Sequence, residues 1–457
     1  MSLDSVEGGP AEAKHRRVNK GTTAVLPAHF VLRQIRRSEQ SERSAEKPWG
    51  SIITVIIPLF ILQSNIDMFT FKQDLVILEQ KGLKRTLRMV ESDSSAWCII
   101  DGKKVFNLCS NNYLGLANDR RLKEAVVEAV KNFGSGSGAS RLISGNTKLH
   151  SELEQKLAEF KKTESALVFN SGYTANIGII SALVSKNDIV FCDKLNHASI
   201  IDGIILSRAG FKRYPHKDIN VLDNLLKNSK NFRRKIIITD SVFSMDGDIA
   251  PLAELICLAK EYDCLLIIDE AHATGVLGDN GRGTLEYLGL EDEKNNIIQM
   301  GTFSKALGSF GAYVCANRDI IDYLINFSRA FIYTTALPAS IIAANIEALR
   351  IIQNEPELRV KLRKNVKFFK DKLNILGFDT GNCETPIVPL ITKDPKLTME
   401  FSNKLFDEGV FVQGIRPPAV PENKSRLRIT LMTAHTAGDL EFALDKIKNI
   451  AKDLCLI

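Results

Sequence analysis

Four apolar residues, Leu265-Leu266-Ile267-Ile268, run into Asp269-Glu270-Ala271-His272, and the next apolar run leads into Gly301-Thr302-Phe303-Ser304-Lys305-Ala306-Leu307-Gly308. An acid at the end of a buried strand, a histidine three residues on and a lysine in a small-residue loop one strand later are the groups a pyridoxal 5'-phosphate site requires. A carboxylate keeps a pyridinium nitrogen protonated, so that the ring draws electrons from a bound carbon, and a lysine amine holds the aldehyde covalently. Taken singly, each residue has a structural reading: an Asp after apolar residues is often a helix N-cap, and a lysine between Ser and Ala is ordinarily a solvated charge. Together they fall where a parallel sheet presents its carboxyl ends, the edge at which open α/β sheets take ligands.

The elements around them support that placement. Apolar strand candidates recur at Ala166–Phe169, Ile189–Cys192, Lys235–Thr239, Leu265–Ile268, Ile297–Met300 and Ala312–Ala316, with helical stretches between most of them. This alternation predicts an α/β fold with a mostly parallel sheet and helices on both faces. Upstream, Ala96 to Ile100 leads into a hairpin whose turn is Asp101-Gly102, and Phe69 to Met89 has a broadly helical pattern that Gly82 weakens. We expect an extension over 1–67, an amino-terminal arm over 68–115, a large domain over 116–340 and a smaller carboxyl-terminal α/β domain over 341–457.

Composition narrows the function classes. The chain has 457 residues, 44% hydrophobic and 25% charged, the balance of an ordinary globular protein too long for one simple core. Its net charge of +6 is spread along the chain, which gives no support for nucleic-acid binding and only a mild attraction to anionic substrates. Eight scattered cysteines form no Cys-x-x-Cys pair; they point to buried thiols in a reducing, cytoplasmic compartment and to no metal site. Met1 to about Glu46 is polar and basic without periodicity and reads as disordered. The run Ile52 to Leu62 is interrupted by Pro58 and is about half of what a bilayer span needs, so no membrane role is expected. Asp4, Glu7 and Glu12 argue against a transit peptide, and Met68 reads as a natural start.

Beyond these patterns, several stretches carry a family resemblance: Asn111-Asn112-Tyr113-Leu114-Gly115-Leu116, Gly134 to Arg141, Asn196-His197-Ala198-Ser199, Val242 to Asp248, Asp269 to Gly275 and Arg416-Pro417-Pro418. From about Met68 to its end the chain resembles the α-oxoamine synthases, fold type I pyridoxal-phosphate transferases that join an amino acid to an acyl thioester with loss of carbon dioxide. The Gly134 to Gly138 stretch does not follow a strand candidate, so it reads as a segment lining the substrate channel and not as a nucleotide loop.

The resemblance implies a role for each site residue. Lys305 holds the cofactor and then acts as general base, Asp269 pairs with the ring nitrogen, His197 stacks on the ring, and His272 and Ser244 stand near the ring oxygen. Gly172 and Tyr173, opening a helix after a strand, offer amides to the phosphate with the Thr302 hydroxyl. Thr334 and Thr335 reach the phosphate of a neighbouring subunit, which makes the expected enzyme a homodimer with shared sites. Arg428, assisted by Asn111, takes the substrate carboxylate, for which a permanently charged bidentate group is suited. Arg85, or the nearby Arg88, faces the acyl substrate. Ala419 stands where many members carry a Thr, which bears on acyl specificity. The implied reaction joins L-alanine to a pimeloyl thioester, of coenzyme A or a carrier protein, in the branch that serves biotin synthesis. Glycine with acetyl-CoA is the alternative. A non-catalytic partner subunit, of the kind serine palmitoyltransferase complexes contain, is disfavoured by Lys305.

Overall fold

The computed structural model describes residues 71–293 and 296–457, which fall in two units divided after Arg85. The expected extension over 1–67, with its apolar run Ile52 to Leu62, lies outside the described residues.

In the first unit a helix spans Lys72–Gln80 with no buried residue. It is shorter than the pattern from Phe69 to Met89 suggested, and Gly82 in the left-handed region (φ 65) follows its end. A surface ion pair links Lys84 to Glu79 at 3.1 Å.

The second unit opens with the expected hairpin, β1 (Trp97–Ile100) and β2 (Lys103–Asn107). Its two-residue turn puts Asp101 at φ 49 and Gly102 at φ 73, the paired positive values that match the twist of the strands. Then come β3 (Ser165–Phe169), β4 (Ile189–Asp193), β5 (Gly210–Tyr214), β6 (Lys235–Asp240), β7 (Leu265–Asp269), β8 (Ile297–Thr302) and β9 (Ala312–Ala316). They form one seven-stranded sheet in the order β3-β9-β8-β7-β6-β4-β5, in which only β9 runs antiparallel to its neighbours. Strands β3, β4 and β9 are buried at every position, as sheets covered on both faces require.

Alternation along the strands divides the core. Leu167, Val190, Ile236, Ile238, Ile267 and Ile298 pack on one face, whereas Ile189, Phe191, Ile237, Leu266 and Ile268 pack on the other. Each such side chain contributes about 1.5–3 kcal/mol of burial. Strand β5 was not among the sequence candidates. It is the sheet's edge, mostly solvent-facing, and its Gly-Phe-Lys-Arg-Tyr sequence lacks the apolar run that marks a central strand.

The carboxyl-terminal part adds β10 (Ile387–Lys393), β11 (Val410–Phe411), β12 (Gln413–Ile415) and β13 (Ser425–Thr430). β10, β13 and β12 make an antiparallel sheet, and β11 joins β2 in parallel. The helices Pro395–Asp407 and Ala437–Asp453 bury Phe401, Leu405, Leu440 and Ile447 in the same core cluster as Leu427 and Ile429 of β13. Two helices start at the carboxyl edge of the large sheet: Gly172–Leu183 after β3 and Ala198–Ser207 after β4. Ser171 caps the first by accepting the Thr174 amide at 3.2 Å, and the His197 side chain caps the second.

Candidate active site

Strands β6 and β7 end side by side in Asp240 and Asp269, which are direct register partners, both nearly buried. Asp269 Oδ1 accepts the Ala271 amide at 2.9 Å, and its Oδ2 accepts the side-chain amide of Asn176 at 2.8 Å. Asp240 Oδ2 accepts the backbone N–H of His197 at 2.7 Å. Burial, followed by the charge of Asp269, raises the Asp240 carboxyl well above the ordinary carboxylate range. The following residue, Glu270, points the other way into a fully buried ion pair with Lys161 at 3.3 Å and accepts the Thr284 amide, which anchors the start of the Asp269–His272 segment.

Lys305 follows β8, half-buried, with its amine 2.8 Å from His272 Nε2. Desolvation lowers the amine to about 8; Asp269 and Asp240 oppose that shift and Arg428 adds to it. A lysine in this condition is about one-tenth neutral at pH 7, far more than an ordinary lysine, which favours a role as proton acceptor. His272 is buried, which pulls its ring well below the usual value, with Lys305 and Arg428 adding to the effect.

From His272 a polar chain runs on. Its Nδ1 lies 2.8 Å from the Tyr113 hydroxyl, which donates to Asn111 Oδ1 at 3.2 Å. Arg428, on β13 and nearly buried, also reaches Asn111 Oδ1 with Nη2 at 3.1 Å, and its Nε donates to the Ser244 carbonyl at 2.6 Å. Two residues earlier on β13, Arg426 holds the same loop through Asp246 at 2.6 Å. The amine of Lys305 and the guanidinium of Arg428 are thus ends of one network.

His197 is exposed, yet the protein around its ring withdraws enough water to lower its basicity, with Asp269 opposing and Lys305 assisting. Its Nδ1 lies 2.7 Å from Ser199 Oγ, and that hydroxyl receives the second hydrogen of the Asn176 amide at 2.9 Å. Gly172 and Tyr173 occupy the first turn of their helix, where amides have no intrahelical acceptor. A Cβ at Gly172 would lie 3.9 Å from the Thr302 hydroxyl, so this helix start and that hydroxyl adjoin. Thr302 Oγ1 is 2.8 Å from Ser304 Oγ and donates to the Gly311 carbonyl. Tyr173 turns its hydroxyl to Asp202. Asn170 donates to Thr334 Oγ1 at 3.1 Å and to the Thr335 carbonyl at 2.8 Å.

Lys305, His272, Asn111, Arg428 and Ser244 are therefore joined in one group of contacts, and Asp269 and His197 in a second. Ala419 is exposed and bonded only through its backbone to Arg416. Arg85 is exposed at the end of the first unit, whereas Arg88 pairs with Asp101 at 3.0 Å and covers the Phe406 ring. Asn176, Asp240, Ser199 and Tyr113 were given no role from the sequence. Two signals were present: Asp240 ends an apolar run as Asp269 does, and Asn176 is a polar residue inside the apolar helix Gly172–Leu183.

The family model for aminotransferase class I and II matches residues 103–447. The 8-amino-7-oxononanoate synthase of Citrifermentans bemidjiense is 51% identical over 392 residues, 85% of this chain and 100% of that one. Among solved structures, serine palmitoyltransferase from S. paucimobilis superimposes with a TM-score of 0.80 at 32% identity, covering 85% of this chain and 98% of that one. The 8-amino-7-oxononanoate synthase from Francisella tularensis superimposes with a TM-score of 0.67 at 32% identity, covering 76% of this chain and 98% of that one.

Proposed function

The chain belongs to the α-oxoamine synthases of the aminotransferase class I and II family, and from that premise we propose that it condenses L-alanine with a pimeloyl thioester to give 8-amino-7-oxononanoate, a step of biotin biosynthesis. Fold likeness alone would leave the substrate open, since a serine palmitoyltransferase superimposes at least as well as a named oxononanoate synthase. Sequence identity favours the latter branch, at 51% against 32%.

The donor set fits pyridoxal phosphate. A buried carboxylate, two unpaired helix amides and a desolvated lysine meet at one sheet edge, and neither Asp240 nor Asp269 has a cation in ion-pair contact among the described residues. When bound, the cofactor supplies an electron sink for negative charge at the amino acid's Cα. Asp269 is assigned to the ring nitrogen, His272 and Ser244 to the ring oxygen, and His197 to the ring face. Gly172, Tyr173 and Thr302 are assigned to the phosphate, with Thr334 and Thr335 contributed by a second copy in a homodimer.

Arg428 orients the substrate through its carboxylate, and Asn111 holds the guanidinium from one side. Lys305 Nζ then takes the Cα proton, with its basicity set by desolvation and its direction by His272 Nε2. The Cα carbon then bonds to the thioester carbonyl carbon as the thiol leaves, and the resulting β-keto acid loses its carboxyl group as carbon dioxide. Ala419 is assigned to the acyl side.

The observation that carries this reading is the Lys305–His272 contact set beside the Asp240–Asp269 pair. Steady-state assays with crossed pairs of amino acid and thioester test it. L-alanine with a pimeloyl thioester is expected to exceed every other pair, and a clear preference for glycine with acetyl-CoA would move the chain to another branch of the family.

A further inference from the structure

We propose that Asn176 and Ser199 are positioning residues that fix His197 as a neutral ring with its proton on Nε2, and that the charge on Asp269 dictates this tautomer. The inference rests on the reading of His197 as a site residue.

The argument follows donors and acceptors outward from Asp269. The Asn176 side chain is 1% exposed, and its Nδ2 lies 2.8 Å from Asp269 Oδ2 and 2.9 Å from Ser199 Oγ. Its orientation is forced, because turning the amide over would set a carbonyl oxygen against a carboxylate, two acceptors with no hydrogen between them. Asn176 Oδ1 has no partner, the cost of an orientation chosen entirely by its donor end.

Ser199 Oγ accepts from Asn176, so its own hydrogen must go elsewhere, and His197 Nδ1 stands 2.7 Å away. The Ser199 backbone N–H is directed at the same nitrogen at 3.3 Å. Two donors on Nδ1 leave that nitrogen only as an acceptor, which places the ring proton on Nε2. Meanwhile the His197 main chain is held by Asp240 Oδ2 at 2.7 Å.

The groups acting on His197 are Asp269 and Asp202, which favour a charged ring, and Lys305, which disfavours it, with the raised Asp240 carboxyl at its main chain and the neutral His272 nearby. Desolvation is the largest influence and also disfavours charge. A hydroxyl donated to Nδ1 adds to it, since bonding to the neutral form opposes protonation. Kept neutral, the ring can lie beside a cationic group without repulsion. An imidazolium would compete with that group for Asp269.

The ring nitrogens can be read directly by long-range proton–nitrogen NMR of the holoenzyme labelled with 15N-histidine, with His197 assigned by His197→Asn. In the unaltered protein a single neutral species is expected at neutral pH, Nε2 protonated and Nδ1 bare. Asn176→Ala, which frees the Ser199 hydroxyl to accept instead of donate, should give mixed tautomers; Ser199→Ala keeps the backbone donor on Nδ1 and should move the His197 titration upward; in each kcat should fall about tenfold, the order of one lost hydrogen bond. A protonated Nδ1 in the unaltered protein would overturn the proposal, and that observation needs no variant to fold. So would the same tautomer and titration in both variants. A failure of the substrate assignment would leave these spectra unchanged, so the two readings fail separately.

Discussion

Two pairs of buried aspartates stand along one sheet edge, and the fold treats them in opposite ways. Asp193 ends β4 and Asp248 lies in the loop after β6; both are bridged by His216, whose ring nitrogens reach them at 3.1 and 2.9 Å, with Lys217 adding a contact to Asp248 at 3.0 Å. Burial alone would depress the His216 ring, but hydrogen bonds to Asp193 and Asp248 outweigh it and push the ring up to about 9. Asp240 and Asp269 end the next two strands of the same sheet and, among the described residues, receive only neutral donors, a backbone N–H from His197 and the Asn176 amide among them. The first pair is balanced within the chain and ties together the loops that carry His197 and Ser244. The second has no cation in ion-pair contact among the described residues, and perturbed carboxyls of this kind gather where a ligand completes the balance. A charge already matched builds the frame; a charge left open marks the place of chemistry.

Removing the Lys305 amine gives the largest expected effect. Lys305→Ala should lose about 10²–10⁴-fold in turnover, the range of a general base, while near-ultraviolet circular dichroism shows the fold retained. Within the pair itself the two carboxyls should behave differently. Asp269→Asn should cost on the order of a hundredfold or more in kcat, because an amide cannot hold a ring proton by charge. Asp240→Asn replaces a carboxyl raised well above the ordinary carboxylate range and keeps an acceptor for His197, so it should cost less than about tenfold. Equal losses at both positions would break the distinction.

The balanced pair should respond in stability instead. His216→Gln leaves the buried Asp193 carboxylate without its cation and Asp248 with Lys217 alone, and should cost about 1–3 kcal/mol. The His216 value in the folded chain, about 9, lies above its ordinary 6.5, so its contribution is fully present below about pH 6.5 and disappears as pH rises through about 9. Thermal midpoints of the holoenzyme and the variant should therefore converge with rising pH. A gap that stays constant to high pH would mean that His216 acts through packing on Phe243, whose ring it meets edge-on at 4.3 Å.

Much of this arrangement was legible in the sequence, and the exceptions have physical reasons. All six apolar runs became strands of one sheet, because a strand buried on both faces must be apolar throughout. The motif around Asp269 and Lys305 fell at the carboxyl edge as expected, since a strand end fixes where its next residue stands. Strand β5 escaped notice because an edge needs no apolar run, and its identity comes from pairing with β4. Asn176 escaped because its partners, Asp269 and Ser199, lie 93 and 23 residues away along the chain. Asp240 and Asp269 have the same local signature, and their partners in the folded chain separate them: the Asn176 side chain for Asp269, the His197 backbone N–H for Asp240.

The claim that the open pair marks the catalytic centre is tested most directly by reducing the holoenzyme with borohydride and mapping the peptide that retains the cofactor. The account predicts a single modified site at Lys305. Cofactor fixed to a different lysine would contradict it.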